Sequence, residues 1–404
     1  MNISNIKDCY GCGVCATACP KKIIKIEFNE SGFYEPRIDD LTLCIDCSLC
    51  TKVCSFIHDD ISLKNKQISS YAAWSNDEII RSECSSGGVA FELSKYLLTR
   101  DFKVCAVRYN TEKNRAEHYV ASTLEELWPS MGSKYIQSYT LEAFQKINIH
   151  EKYLVTGTPC QIDSFRRYIQ LKKMENNFVL MDFFCHGTPS IKLWKKYLVY
   201  VEKKIGKISY VSWRNKLTGW HDSWAIAAKS DSDSCISDIS CDKLKKINYY
   251  SRLSKHDVFY TIFLNDSCLG KACYNNCKYK YKNSAADIRI GDLWGKTYYN
   301  DEKGTSCAIS FTNQGDKLLK ELNCTLIQHP FHIVAEGQLK FNPKYKKNYN
   351  KIRTKMFDEV STIEDVYKMV NRQALISFFF NRLRNPHRTI SNILKRMKHI
   401  FIKR

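Results

Sequence analysis

The chain has 404 residues, 44% of them hydrophobic and 26% charged, which excludes a disordered or low-complexity polymer and leaves room for a small module plus one or two larger domains. The formal net charge of +20 is uneven: residues 1–60 carry six basic and nine acidic side chains, and residues 366–404 carry ten basic and no acidic ones. No apolar run approaches the length of a membrane span.

Taken in chain order, the first signal is a pair of cysteine runs. Cys9, Cys12, Cys15 and Cys19, followed by Pro20, share the C-x2-C-x2-C-x3-C spacing of Cys44, Cys47, Cys50 and Cys54. That spacing wraps a short loop around a cubane 4Fe–4S cluster, and in two-cluster ferredoxins the fourth cysteine of each run serves the opposite cube. Cys9, Cys12, Cys15 and Cys54 are therefore expected at one cluster, with Cys44, Cys47, Cys50 and Cys19 at the other. Zinc sites usually take cysteines in twos across a longer spacer. Ser55 stands where a second proline is common after the fourth cysteine. The chain has 19 cysteines, and Met1 to Lys7 has neither the charged start nor the apolar core of an export signal. Cluster thiolates need reducing surroundings, so a cytoplasmic setting is expected.

The ferredoxin-type module is expected over residues 1–58, with a polar linker from Asp59 to Ser70. A mixed α/β domain over 71–342 follows. Tyr71 to Trp74 reads as a strand, Ser85-Ser86-Gly87-Gly88 as a turn, and Val89, Leu93, Tyr96 and Leu97 as a helix face. Val104 to Val107 is a second strand. Leu154 to Thr156 leads through Gly157-Thr158-Pro159-Cys160 into a helix, and Phe178 to Phe184 is a strand ending in Cys185-His186-Gly187. This order predicts a mixed or parallel sheet covered by helices. Residues 343–404 read as a basic helical tail. Ile390, Ile393, Leu394, Met397, Ile400 and Phe401 line one face of a helix that Lys395, Arg396, Lys398, Lys403 and Arg404 make basic. Such a helix either docks on its own domain or lies peripherally, through residues 388–404, on an anionic membrane.

A second chemistry gathers behind strands. Cys160 and Cys185 each follow an apolar strand, where ligands collect in open α/β sheets. Cys268, Cys273 and Cys277 precede the segment Ala286 to Gly295. Cys105, Cys307 and Cys324 read as buried small hydrophobes, and Cys235 and Cys241 as incidental loop residues.

These segments resemble the coenzyme F420 hydrogenase/dehydrogenase beta-subunit family. The resemblance rests on Gly157 to Ile162, Asp182 to Ser190, Trp213 to Lys216 with Gly219-Trp220, and Asp287 to Gly295. With the ferredoxin-type module it spans about residues 1–340. It implies an FAD-containing iron–sulfur oxidoreductase with a third 4Fe–4S cluster, held by Cys160, Cys185, Cys273 and Cys277. The family pair usually has two residues between its cysteines. Here Tyr274, Asn275 and Asn276 make three, so Cys268 is a possible substitute. For FAD the resemblance points to Ser85, Ser86, Gly87 and Gly88, a turn opening a helix, and to Lys216, Arg289, Asp292 and Trp294. His186 is the one histidine nominated as a proton donor; the alternative is a hydrogen-bonding neighbour of the third cluster.

The implied partners are a ferredoxin or other redox protein and a deazaflavin or small-molecule substrate, with electrons passing to an acceptor the residues do not name. Some relatives accompany cell-surface polysaccharide enzymes, a setting the Lys- and Asn-rich sequence suits. Two rival readings are a non-catalytic electron-transfer subunit of a larger complex and an iron–sulfur nucleic-acid protein. The basic residues form no recognised nucleic-acid reader motif, which counts against the latter.

Overall fold

The computed structural model describes residues 2–64, 66–230, 247–346 and 348–372. The expected amphipathic helix at 388–404, with Cys235 and Cys241, lies outside the described residues.

The first cysteine run closes on a one-turn helix, Val14–Ala18, and the second on another, Leu49–Lys52. Between them β1 (Ile24–Phe28) and β2 (Tyr34–Ile38) form an antiparallel hairpin. Gly11 (φ 63°) and Gly13 (φ 75°) sit in the left-handed region that lets the loop turn its sulfurs inward. A Cβ on Gly13 would lie 2.2 Å from Thr140 Oγ1, so this loop presses against the following domain.

Twelve further strands follow. They are β3 (Ser69–Ser75), β4 (Lys103–Asn110), β5 (Arg115–Ala121), β6 (Ser138–Tyr139), β7 (Tyr153–Thr156), β8 (Phe178–Phe183), β9 (Ile208–Ser212), β10 (Ala225–Ser230), β11 (Tyr249–Arg252), β12 (Ile288–Asp292), β13 (Ser306–Ser310) and β14 (Cys324–Gln328). Nine of them build one mixed sheet in the order β14-β3-β13-β12-β8-β7-β4-β5-β6, and β11-β10-β9 form a small antiparallel one. At the centre, β12, β8, β7 and β4 run parallel. The two middle strands, β7 and β8, read as apolar runs, not alternations, because helices cover both faces: Tyr153 to Val155 and Phe178 to Asp182 are all buried.

The helix Val89–Leu98 packs Phe91, Leu93 and Leu97 on one face of the sheet. On the other, the helix Pro159–Leu171 buries Ile162, Phe165 and Ile169 among Leu180, Val155 and Val14, the last of these from the N-terminal module. Its start is set by Pro159 at the first turn, and by Gln161 Oε1, which accepts the Thr158 N–H at 2.9 Å.

Two expected boundaries are not breaks in packing. The linker is pinned: Asp60 pairs with Arg167 at 3.1 Å, and the Ser62 N–H donates to Asp163 at 2.9 Å. Past residue 343, the helix Tyr349–Phe357 and the helical residues 363–372 bury Tyr349, Ile352, Met356, Ile363, Val366 and Val370 in the core that holds Trp194, Trp213, Phe259 and Phe263. Among the described residues no helix is long and apolar enough to cross a membrane.

Candidate functional site

The eight N-terminal cysteines sort into two small cavities. Cys9, Cys12, Cys15 and Cys54 line the first, with Tyr10 and Phe56; Cys19, Cys44, Cys47 and Cys50 line the second. Each lining thus takes three cysteines from one run and its fourth from the other. Among the described residues no three His, Cys, Asp or Glu side chains converge as a single-ion site; these sulfurs ring a space.

The two cavities differ in exposure. Cys12 and Cys15 of the inner one are buried, whereas Cys47 of the outer one is exposed and Leu41, Leu43 and Ile45 beside it are more than half exposed. Burial pushes the Cys12 thiol up to about 11, the Cys54 charge pushes the same way, and a hydrogen bond with Ser164 opposes both. Buried thiolates at this density need cationic partners, which is the chemistry of a metal cluster.

A third cysteine group lies behind the sheet. Cys160 opens the helix after β7, Cys185 follows β8, and Cys273 and Cys277 come from the short helix Lys271–Asn275 and its exit. Burial raises the Cys160 thiol well above its ordinary value, and Cys185, Cys273 and Cys277 add to it electrostatically. Burial likewise lifts Cys273 to about 12, with Cys185 next among the causes. The Thr188 N–H approaches Cys273 Sγ at 3.5 Å, and Thr158 Oγ1 lies 3.2 Å from Cys160 Sγ. Cys268 stands apart: its electrostatic neighbours are Asp266, Tyr274 and Tyr349, and its side chain is buried in the aromatic core. The extra residue between Cys273 and Cys277 therefore does not bring Cys268 into the group.

His186 Nε2 pairs with Asp266 Oδ1 at 2.7 Å and its ring packs edge-on against Phe263. Lys280 Nζ ties the chain beneath it, donating to the carbonyls of Cys185 (2.6 Å) and His186 (3.0 Å).

The residues expected at FAD do not all meet. Arg289 is fully buried near the third cysteine group, paired through two bonds of 2.7 Å with Asp182 and donating to the Tyr281 carbonyl. Its donors go to Asp182 and to the main-chain carbonyls of Tyr279 and Tyr281. Gly87 is required by packing, since a Cβ there would sit 2.4 Å from the Ala73 carbonyl; Gly88 takes φ 87° at the helix start. The others converge. Lys216 Nζ donates to the carbonyls of Arg81, Ser86 and Lys303 at 2.6–2.7 Å, and burial pulls its pKa down to about 8. Arg214 reaches both Asp292, at 2.9 Å, and the Ser85 carbonyl, at 3.4 Å. Trp294 stacks on Trp220 at 4.9 Å and 7°, and Trp220 Nε1 donates to Asp292. Asp292 is thus held by Arg214 and Trp220, with its carbonyl accepting from Gln338 at 2.6 Å.

Several residues of the site carry no motif signal of their own. Tyr10, Ser164 and Lys278 are three. Cys84, buried at the head of the glycine turn with Lys216 and Lys134 as electrostatic neighbours, is a fourth. The signal available for Tyr10, Lys278 and Cys84 was adjacency: Tyr10 sits inside a cysteine run, Lys278 follows Cys277, and Cys84 precedes Ser85.

Fold and cysteine pattern together define an iron–sulfur protein with a dicluster head on a mixed α/β body. A 4Fe-4S dicluster domain model matches residues 8–57. Two models for the beta subunit of coenzyme F420 hydrogenase/dehydrogenase match the body, the N-terminal one over residues 70–145 and the C-terminal one over 150–327. The chain belongs to the coenzyme F420 hydrogenase/dehydrogenase beta-subunit family, with a dicluster domain ahead of it. Among curated proteins, a 52-residue segment is 42% identical to DNA-directed RNA polymerase subunit Rpo3 of Methanosarcina mazei, spanning 13% of this chain and 18% of that protein. Among solved structures, a chain of the F420-reducing NiFe hydrogenase complex from Methanosarcina barkeri is similar over 78% of this chain and 95% of its own length. The TM-score is 0.44 and the identity 18%.

Proposed function

We propose that this chain is an iron–sulfur electron-transfer protein in which three cysteine quartets are arranged from the body of the protein to its surface. The observation that carries the reading is the sorting of twelve cysteines into three groups of four, with Tyr10 beside two of them. Cys9, Cys12, Cys15 and Cys54 would hold the inner 4Fe–4S cluster, and Cys19, Cys44, Cys47 and Cys50 the outer one. Cys160, Cys185, Cys273 and Cys277 would hold a third. Tyr10 supports the order, because it lines the inner cavity and also has Cys160, Cys277 and Cys273 as electrostatic neighbours. Clusters carry single electrons at potentials set by hydrogen bonding, burial and charge.

FAD, expected from the resemblance, would supply the conversion between two-electron hydride chemistry and single electrons. Lys216, Ser85, Ser86 and Trp294 would hold it, at the carboxyl edge of the sheet. Lys216, bonded to the carbonyls of Arg81, Ser86 and Lys303, would fix the turn at Ser85 and Ser86 in place, and the Trp294–Trp220 stack would supply an apolar aromatic wall. His186 keeps its hydrogen bond to Asp266 and serves the third group as a positioning neighbour.

The outer cavity is the exit toward a redox partner, since Cys47 is exposed, Ile45 lines the same cavity, and Leu41 and Leu43 just before Ile45 in the chain are exposed apolar side chains. Anaerobic purification with iron, sulfide and flavin counted per chain tests the whole reading. About twelve irons and one flavin per chain are expected from three clusters and one FAD; eight irons would remove the third cluster. Turnover of a deazaflavin or reduced ferredoxin then separates an oxidoreductase from a pure carrier.

A further inference from the structure

We infer that Ser164, held by Ser55, is a positioning residue that donates a hydrogen bond to the Cys12 sulfur and thereby raises the redox potential of the cluster held at the inner cavity. The inference rests on the cluster assignment proposed above.

Ser164 is fully buried on the helix Pro159–Leu171, one turn beyond Cys160. Its Oγ lies 3.3 Å from Cys12 Sγ, 2.7 Å from Ser55 Oγ and 3.2 Å from the Ser55 backbone nitrogen. Ser55 Oγ in turn lies 3.2 Å from the Cys160 carbonyl. A chain of four groups therefore links a sulfur of the inner quartet to the backbone of the third.

The hydrogen count fixes who donates. A ligating sulfur is a thiolate and can only accept. With Cys12 protonated, Cys12 Sγ donates to Ser164 Oγ and Ser164 donates to Ser55 Oγ. Once Cys12 is a thiolate the chain reverses, and the single Ser164 hydrogen turns to Cys12 while its oxygen accepts from Ser55. The Ser55 hydroxyl then donates to Ser164 across their 2.7 Å contact and releases the Cys160 carbonyl.

The contacts from position 55 need a residue that is not proline for the N–H and a hydroxyl for the side chain. The matching position after the first run is Pro20, and a proline has neither a backbone N–H nor a hydroxyl. At the outer cavity the comparable contact is longer and only partly buried, Asn2 Nδ2 to Cys44 Sγ at 3.6 Å. The two quartets therefore differ in how their sulfurs are hydrogen-bonded. A donor in dry surroundings favours the more negative, reduced state of its acceptor. On one-electron reduction no bond breaks and no proton leaves, and the hydrogen stays on Ser164 Oγ.

The test is an EPR-monitored redox titration of the full chain, purified without oxygen, with iron counted in each variant. Ser164→Ala is expected to keep its iron and to lower the reduction constant of one couple about tenfold, which is a shift of about 59 mV to the negative. Ser164→Thr keeps the hydroxyl and is expected to restore the wild-type value. Ser55→Pro is expected to shift the same couple in the same direction by less. An unshifted Ser164→Ala couple at full iron content overturns the inference, as does iron loss in both Ser164 variants, which would make the residue structural. Wild-type protein without iron–sulfur signals would instead sink the cluster assignment, and the inference with it.

Discussion

The hydroxyl of Tyr10 donates to the backbone carbonyl of Asn276 at 2.5 Å, joining the first cysteine run to the loop that carries Cys273 and Cys277. Lys278 fastens the same loop from the other side, donating to the carbonyls of Ser55, His58 and Asp60. The dicluster module is therefore docked by specific bonds. Tyr10→Phe removes one of them and should lower folding stability by about 1 kcal/mol with iron content unchanged. Denaturant titration alongside an iron assay reads both; a large loss of iron would mean that Tyr10 has a role in ligation instead.

Cys277→Ser and Cys268→Ser should behave oppositely. The first is expected to cost about four irons per chain, the content of one cubane. The second should leave iron intact and destabilise the fold by about 1–3 kcal/mol, since a hydroxyl replaces a thiol buried in the aromatic core. Equal iron in both variants would contradict the proposed third group.

Arg289 and Asp182 form a fully buried ion pair between neighbouring parallel strands. Asp182→Asn leaves the guanidinium without its counter-charge and should cost about 3–5 kcal/mol. Chemical denaturation measures it. A change within experimental error would indicate that the pair is not dry in solution.

His118 supplies a pH dependence. It is buried against Phe144, with Nε2 at 3.0 Å from the Thr156 carbonyl and Nδ1 without a partner. Burial pulls its pKa down to about 4, against a smaller opposing effect of the Thr156 bond. Because the folded pKa lies below the unfolded one, its contribution is complete above about pH 6.5 and is lost as pH falls toward 4. The slope is about 1.4 kcal/mol per pH unit for one proton. Tm measured between about pH 7 and about pH 5 should fall, and His118→Phe should flatten that part of the curve. An identical slope in the variant would assign the effect elsewhere.

Leu43→Ser tests the exit. Reduction by a two-cluster ferredoxin should slow, because an exposed apolar side chain that would shed water on docking is lost, while reduction by methyl viologen should not. Parallel slowing with both donors would point to damage at the outer cluster itself.

The cysteine chemistry and the order of the elements were legible in the chain alone. Eight thiols at a repeated spacing specify two loops, because a three-residue step sets where successive sulfurs point. Apolar runs such as Phe178 to Phe184 specify central strands, because both faces are covered. Whatever depends on residues distant in the chain became visible only once it was folded. Cys268 is turned into the core and Arg289 is consumed by Asp182. The part of the expected tail that is described, up to residue 372, packs among Trp194 and Phe259. The Ser55–Ser164 contact spans 109 positions. Local spacing fixes local geometry, but burial and pairing belong to whichever distant side chain fills the other half of the space, and no single stretch of sequence holds that information.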